Sequence, residues 1–236
     1  MKSPPYTLSV AKLSIIRQTW GMRSWFISAL AVSLTLGLTS CGESSQLYPS
    51  SKSEGVFFSL PKSWHIVTTE ELNKYESESI EDGVQSRQSL VKWQIAYSTD
   101  SKIKAAEVFD LEAPSEPLVF ARVRELTSDE MNEVSYNSLR DVIVPVTRLI
   151  TGEDTSVPDF KILGDEEVIE KGARGVRTTY SLSFDGVNQT FNQTSLVAND
   201  RSALYIFVVR CTTLCYEKSA TNINEIVSSF TVKGTR

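Results

Sequence analysis

Val176-Arg-Thr-Thr-Tyr-Ser-Leu-Ser-Phe184, then Asp185-Gly186, then Val187 through Ala198, is the stretch that decides the fold. Val176, Thr178, Tyr180, Leu182 and Phe184 alternate with polar neighbours, the period-two pattern of a strand that buries one face. Asp-Gly is the dipeptide that a tight two-residue hairpin favours, because its central residues take positive φ. Val187–Ala198 then returns, Asn199-Asp200 turns again, and Ala203–Arg210 comes back apolar on both faces. That is a β-meander whose last strand lies inside a sheet.

Working outward, Gly172-Ala-Arg-Gly175 turns the chain into the meander, and Phe160–Leu163 and Glu166–Ile169 read as strands before it. Val91, Trp93, Ile95 and Tyr97 alternate with Lys92, Gln94 and Ala96, which predicts a half-buried strand, and Leu118–Glu125 predicts another. Val56–Leu60 is an apolar strand stopped by Pro61, and His65–Val67 a second, brief one. Thr68 with Glu71, and Thr127 with Glu130, have capping-box spacing. The first predicts a helix to about Tyr75. The second predicts a helix whose apolar rhythm runs from Met131 to Ile150, kinked by Pro145 near Ile143–Val144 and ended by Gly152. Tyr216, Ala220, Ile223, Ile226, Val227 and Phe230 form one stripe of a C-terminal helix, with Thr231-Val232 as a last edge strand. Residues 76–89 and 99–117 read as long surface loops. The fold class is α+β: a mostly antiparallel sheet covered by helices.

The N-terminal part has a different character. Trp25–Leu38 is mostly apolar, too short for a membrane span of about 20 residues, and ends in Leu38-Thr-Ser-Cys41. Small residues ahead of a cysteine at the end of such a run resemble the bacterial lipobox. There a peptidase cleaves before the cysteine and a diacylglyceryl group joins its sulfur. Rival readings are a plain secretory signal and an uncleaved anchor. The organisation expected is a signal peptide over 1–40, with Met22 giving the more compact start, a flexible tether over 41–54, and one folded domain over 55–236. Cys41 is the expected lipidation site. The expected location is a bacterial membrane, lipid-anchored and facing the extracytoplasmic side: periplasm, cell surface or thylakoid lumen.

The chain has 24 Lys and Arg against 29 Asp and Glu, a net charge of −5. Lys2, Lys12, Arg17 and Arg23 all precede Cys41 and no acid does, so the mature part is more acidic still. Such a balance repels phosphate backbones and makes nucleic acid a poor partner. The membrane contact is therefore expected through lipid, not through a basic face. Beyond Cys41 only Cys211 and Cys215 remain, and in an oxidising compartment a pair reads as a disulfide. On a turn or helix start the four-residue spacing puts the Cα atoms about 6 Å apart, which a disulfide tolerates. Free thiols, or a thin metal site, are the alternatives.

Chemistry is sparsely announced. His65 is the single histidine, and no nucleophile elbow, P-loop or dinucleotide fingerprint occurs. The acidic groups Glu76/Glu78/Glu81/Asp82 and Asp165/Glu166/Glu167 lack the alternating spacing of a calcium loop. Asn188-Gln-Thr190 and Asn192-Gln-Thr194 are glycosylation sequons by letter, and more simply polar strand residues. No catalytic residue, metal ligand or cofactor is expected.

Phe57-Phe-Ser-Leu-Pro-Lys-Ser-Trp64, Gly172-Ala-Arg-Gly-Val-Arg177 and Ile223-Asn-Glu-Ile-Val-Ser-Ser-Phe230, in that order, resemble the PsbP-like family over residues 55–236. The resemblance implies an α/β/α sandwich around an antiparallel sheet. It also implies a role like that of family members that assist photosystem assembly, or of bacterial lipoproteins without an assigned role. The functional expectation is a lipid-anchored, non-catalytic binding or assembly module with a protein partner, its contact surface on residues 76–89 and 99–117. The alternatives are a structural or stress-related envelope lipoprotein and, further off, a hydrolase.

Overall fold

The computed structural model describes residues 45–80, 83–157 and 159–233. In chain order β1 (Gln46–Leu47), β2 (Ser50–Ser51), β3 (Val56–Phe57), β4 (Leu60–Pro61) and β5 (His65–Val67) come first. Then α1 (Thr69–Ser77) and α2 (Val84–Gln88) lead to β6 (Val91–Ser98), and α3 (Ala105–Phe109) to β7 (Leu118–Glu125). Three short helices, α4 (Ser128–Glu133), α5 (Tyr136–Arg140) and α6 (Val146–Thr151), precede the long strands β8 (Lys161–Ile169), β9 (Ala173–Phe184), β10 (Val187–Ala198) and β11 (Ala203–Thr212). Helices α7 (Thr213–Lys218) and α8 (Ala220–Ser229) and strand β12 (Thr231–Val232) follow.

Seven strands form one sheet in the order β5-β6-β7-β11-β10-β9-β8, every neighbour antiparallel. The meander appears as read: Asp185 and Gly186 both take positive φ, and β11 occupies the middle of the sheet. Strand alternation sends Tyr205, Phe207 and Val209 to one face, where α8 and residues 56–64 cover them. Phe207 stacks on Phe230 at 4.5 Å between centroids and meets Phe58 at 5.1 Å. Leu204, Ile206 and Val208 face the other way, onto Leu139, Val146 and Leu149 of α5 and α6. Beside them α1 and α3 pack Leu72 and Val108 against Ala96, Leu118 and Phe120. Helices thus lie on both faces of an antiparallel sheet, the α+β sandwich expected.

Several boundaries differ. Of the residues expected as a tether, 46–51 are in the fold: β1 pairs with β4, β2 pairs with β3, and Pro49 and Ser51 are buried. Low apolar content did not exclude them because backbone hydrogen bonds, which any sequence can make, carry much of the attachment, with Leu47 packed on the core beside them. Residues 41–44, with Cys41, lie outside the described residues. The single kinked helix over 131–150 is three helices. Ser135 adopts an extended backbone and caps a new helix by accepting from the Ser138 amide, and Pro145 starts the third. The apolar rhythm persists because the separate helices lay one side on the same sheet face. The C-terminal stripe is likewise split, at Ser219. Residues 84–88 and 105–109, expected in loops, form α2 and α3. The two strands expected over 160–169 are one, β8, with an irregularity between Ile162 and Gly164. Gly172-Ala-Arg-Gly175 does not turn as a unit, since Ala173 already opens β9. Strand β6 is not half-buried: Gln94 and Ala96 are both fully enclosed.

Gly175 shows how closely β9 and β10 are set. A Cβ there would lie 2.1 Å from the Ser195 carbonyl oxygen and 2.9 Å from Leu196 Cα, both backbone atoms that cannot step aside. Gly164 has only ordinary contacts, the nearest at 3.9 Å. Gly175→Ala is expected to cost about 3 kcal/mol, and Gly164→Ala less than about 1 kcal/mol, read as shifts of the urea midpoint at constant slope.

Candidate functional site

The helices on one face of the sheet form two groups, α1–α3 and α4–α6, and they do not close over the strands between them. A groove remains. Its inner part is an apolar cavity of about 140 Å³ between Phe109 and Leu111 on one side and Val142 and Ile143 on the other. Phe120, Phe191, Ile206 and Val208 of the central strands form its floor. A wider chamber of about 510 Å³ shares Arg122, Val142 and Ile206 with it and opens between Arg87, Arg124 and the residues of α4 and α5. Both expected loops contribute to the rim, Arg87 from one and Phe109 to Leu111 from the other.

Two arginines, Arg210 buried and Arg122 half-buried, fix this arrangement. Arg210, on β11, is 4% exposed. Its Nη1 donates to the Glu112 carbonyl at 2.8 Å and its Nη2 to the Glu107 carbonyl at 2.9 Å and to the Asp110 carbonyl. Gln189, next to it on β10, donates to the Leu111 carbonyl at 2.6 Å. These oxygens belong to the end of α3 and the residues just after it, where helical carbonyls lack intrahelical partners and carry the negative end of the peptide dipoles. Burial lowers the Arg210 guanidinium to about 10, with the charge of Asp110 opposing. So 99–117 is not a free loop.

Arg122, on β7, lies between the rings of Phe109 and Phe120, 5.3 and 5.2 Å from their centroids. Its Nη2 reaches Glu76 Oε2 at 2.7 Å, and Nε and Nη2 share Gln94 Oε1. Gln94 in turn donates to Glu76 at 2.8 Å and to Asn73 at 2.8 Å. Burial lowers the Arg122 pKa, and Glu76 partly restores it. Arg124 forms a two-pronged pair with Glu130 at 2.7 and 2.9 Å, which holds the Glu130 carboxyl down at about 2. The charged rim is therefore balanced: Arg87, Arg122 and Arg124 face Glu130, Glu133 and Asp141. An apolar slot with such a rim can take an amphipathic group.

The residues singled out by sequence scatter. Cys211 and Cys215 are joined in a disulfide, Cα atoms 5.9 Å apart, that ties β11 to α7. His65 is exposed on the edge strand β5. Glu76 turns inward to Arg122 while Glu78 stays outside, and Glu81 and Asp82 lie outside the described residues. Asp165, Glu166 and Glu167 alternate along β8 and pair separately, with Arg140, Arg177 and Tyr136. Among the described residues no group of three or more His, Cys, Asp or Glu is placed to hold a metal ion, and no helix is long and apolar enough to cross a membrane. The second sequon's Asn192 is buried in β10. Arg122 and Arg210 were missed, although Arg210 is the single cation of the apolar strand β11, a position that demands buried partners.

No protein-family model matches the chain, and no curated protein does. Among solved structures, it is similar to CyanoP, the cyanobacterial PsbP of Synechocystis: 14% identity over 82% of this chain and 95% of that chain, TM-score 0.46. It is similar also to LpqN of Mycobacterium tuberculosis, involved in cell envelope biogenesis: 14% identity, 79% of this chain and 90% of that one, TM-score 0.45. A third is the Ran-binding protein Mog1p of Saccharomyces cerevisiae: 8% identity, 80% and 96%, TM-score 0.42.

Arg210→Met is expected to strand three carbonyls and lower stability by about 3 kcal/mol, with amide exchange over residues 105–112 accelerating more than in β9 or β10. The Glu130 pair sets a pH dependence. Its folded pKa of about 2 lies below the ordinary 4.5, so its contribution is present above about pH 4.5 and is lost as pH falls toward 2. Glu130→Gln should be less stable than the parent near neutral pH and should lose less stability on acidification, by urea titration across that window.

Proposed function

We propose that the chain is a lipid-anchored extracytoplasmic module that works by binding, not by catalysis, and assists a membrane protein complex. The observation that supports this most is the groove, where an apolar slot of about 140 Å³ opens into a charge-balanced chamber of about 510 Å³. The partner is a membrane-associated protein that inserts an amphipathic segment, apolar side chains over Phe120 and Ile206 and polar ones toward Arg87 and Glu133. The anchor is the Cys41 thioether-linked lipid that the lipobox-like Leu38-Thr-Ser-Cys41 calls for. Confinement to a layer over the membrane raises the effective concentration for a membrane-bound partner, so modest intrinsic affinity suffices.

Deleting residues 102–112 is a poor test, because it removes the carbonyls that satisfy Arg210. Val142→Glu, in the shared wall of slot and chamber, blocks the groove from a partly exposed position. Crosslinking in native membranes should recover one dominant protein, weakened at least about tenfold, or about 1.4 kcal/mol, by Val142→Glu and unaffected by Leu214→Glu, which is 69% exposed on α7. Cys41→Ser should release the protein from membranes or leave a precursor. Turnover of a small substrate abolished by a single Asp, Ser or His65 replacement would refute the reading, as would crosslinking indifferent to Val142.

A further inference from the structure

Ser45, the first described residue, is already fixed to the fold: its carbonyl accepts from the Lys62 amide at 2.9 Å. Gln46 and Leu47 then pair with Pro61 and Leu60, and Leu47 packs on the core. Four peptide steps, instead of a tether running to residue 54, therefore separate the lipid-acceptor Cys41 from the folded domain. Fully extended, four steps span at most about 14 Å. The headgroup layer takes about 5–7 Å of that, the share of one leaflet in a bilayer of about 40–45 Å around a hydrocarbon core of about 30 Å. What remains, at most about 9 Å, is less than the about 10–12 Å width of one helix. A domain anchored through Cys41 cannot stand clear of the lipid, and the corner at Ser45 must lie against it.

Two connections build that corner. β1 joins β2 through Tyr48 and Pro49, and β4 joins β5 through Lys62 and Ser63, where the Trp64 amide donates to the Pro61 carbonyl at 3.2 Å. Pro49 and Trp64 are buried, which holds both turns to the core, while Tyr48 is 68% exposed. Ile66, on the edge strand β5, is 49% exposed, and Lys62 and Ser63 are exposed as well. The charge pattern singles out the same segments: residues 44–53 and 55–69 hold Lys52 and Lys62 and no Asp or Glu, in a chain of net charge −5. An acidic surface is repelled by anionic headgroups, and these two segments escape that repulsion. A phenol ring and a lysine stem settle at headgroup depth, apolar part toward the acyl chains and polar tip toward water. We infer that this corner, with Tyr48 and Lys62 at its centre, docks on a bilayer surface carrying anionic lipid. The inference rests on the lipid anchor proposed above and adds which part of the domain meets the membrane. The β5 edge of the sheet faces the lipid, and β8, the opposite edge, is held away from it.

The test uses the full chain, processed and lipidated in its host membrane, then reconstituted into phosphatidylcholine vesicles containing phosphatidylglycerol and a lipid with a nitroxide on its headgroup. A fluorophore is placed on Ser63→Cys or, in a second preparation, on Ile169→Cys, both exposed positions. Ile169 ends β8, six strand spacings or about 29 Å from β5, so its label should be quenched at least about twofold less than the label at position 63. Lengthening the tether separates docking from mere proximity. With a Gly/Ser segment of about fourteen residues between Gly42 and Glu43, which adds about 20 Å of reach, quenching at position 63 should persist. Adding Tyr48→Ser and Lys62→Glu to the lengthened chain should bring it down to the level of position 169 while the thermal midpoint holds. Equal quenching at the two positions in the anchored parent overturns the inference, as does quenching that the longer tether alone abolishes or that survives both substitutions. Protein that stays out of the vesicles removes the anchor itself, and this inference with it. Failure of the docking surface alone leaves the groove reading intact, because crosslinking through Val142 is read on a protein that is still anchored.

Discussion

A guanidinium buried on the middle strand of a seven-stranded sheet governs how much of this molecule must fold together. Stranding such a cation in a dry interior costs several kcal/mol unless its donors are satisfied. Among the described residues Arg210 has no carboxylate in hydrogen-bond contact, and uses the carbonyls of Glu107, Asp110 and Glu112 instead. Meeting that requirement draws the chain from α3 onward across the sheet. Phe109 is carried into place with it, stacked on Tyr75 of α1 at 5.6 Å and edge-on to Phe120 of β7. One wall of the groove, the position of α1 and the packing over β7 therefore follow from a single desolvated charge.

Strand β10 applies the same logic with neutral groups. Both its faces are covered, yet Gln189, Thr190, Asn192, Gln193, Thr194 and Ser195 are polar and buried. Several hold a different covering element. Gln189 takes the Leu111 carbonyl, Gln193 the Leu139 and Arg140 carbonyls at the end of α5, and Thr190 the Thr213 hydroxyl of α7. Apolar side chains would bury as well but would not fix where each helix lands. Directional bonds do, since a slip leaves buried groups unpaired.

What the sequence made legible is what a period or a cap encodes. The meander, both threonine capping boxes and the central place of β11 follow from local patterns, and the chain takes all of them. What it hid depends on contacts distant in sequence. Residues 46–51 enter the fold through backbone pairing with β3 and β4, which leaves no mark on side-chain pattern, and of their side chains Leu47 packs on the core. Residues 105–109 look like loop because their helix is justified by Arg210, a hundred residues on. Gln94 fits the alternation of β6 yet is buried, because α1 brings Glu76 over it. The groove is assembled from six separate segments, and no one of them carries a motif; only the single arginine of β11 hinted at buried chemistry.

The small sheet of β2, β3 and β12 joins the two ends of the described chain. Val56 and Phe57 pair with Val232 and Thr231, and the Lys233 amide donates to the Gly55 carbonyl. A chain that is synthesised or threaded across a membrane from its N-terminus thus presents β3 long before the strand that completes it. Until then Phe58 and Trp64 have no Phe230 or Ile226 beside them, and one half of the core stays open. Non-local pairing of this kind is slow and leaves apolar surface exposed in the interim. The domain is in that sense locked from its far end: the final two-residue strand is small in area but last in order, and the protein stays unsealed until it arrives.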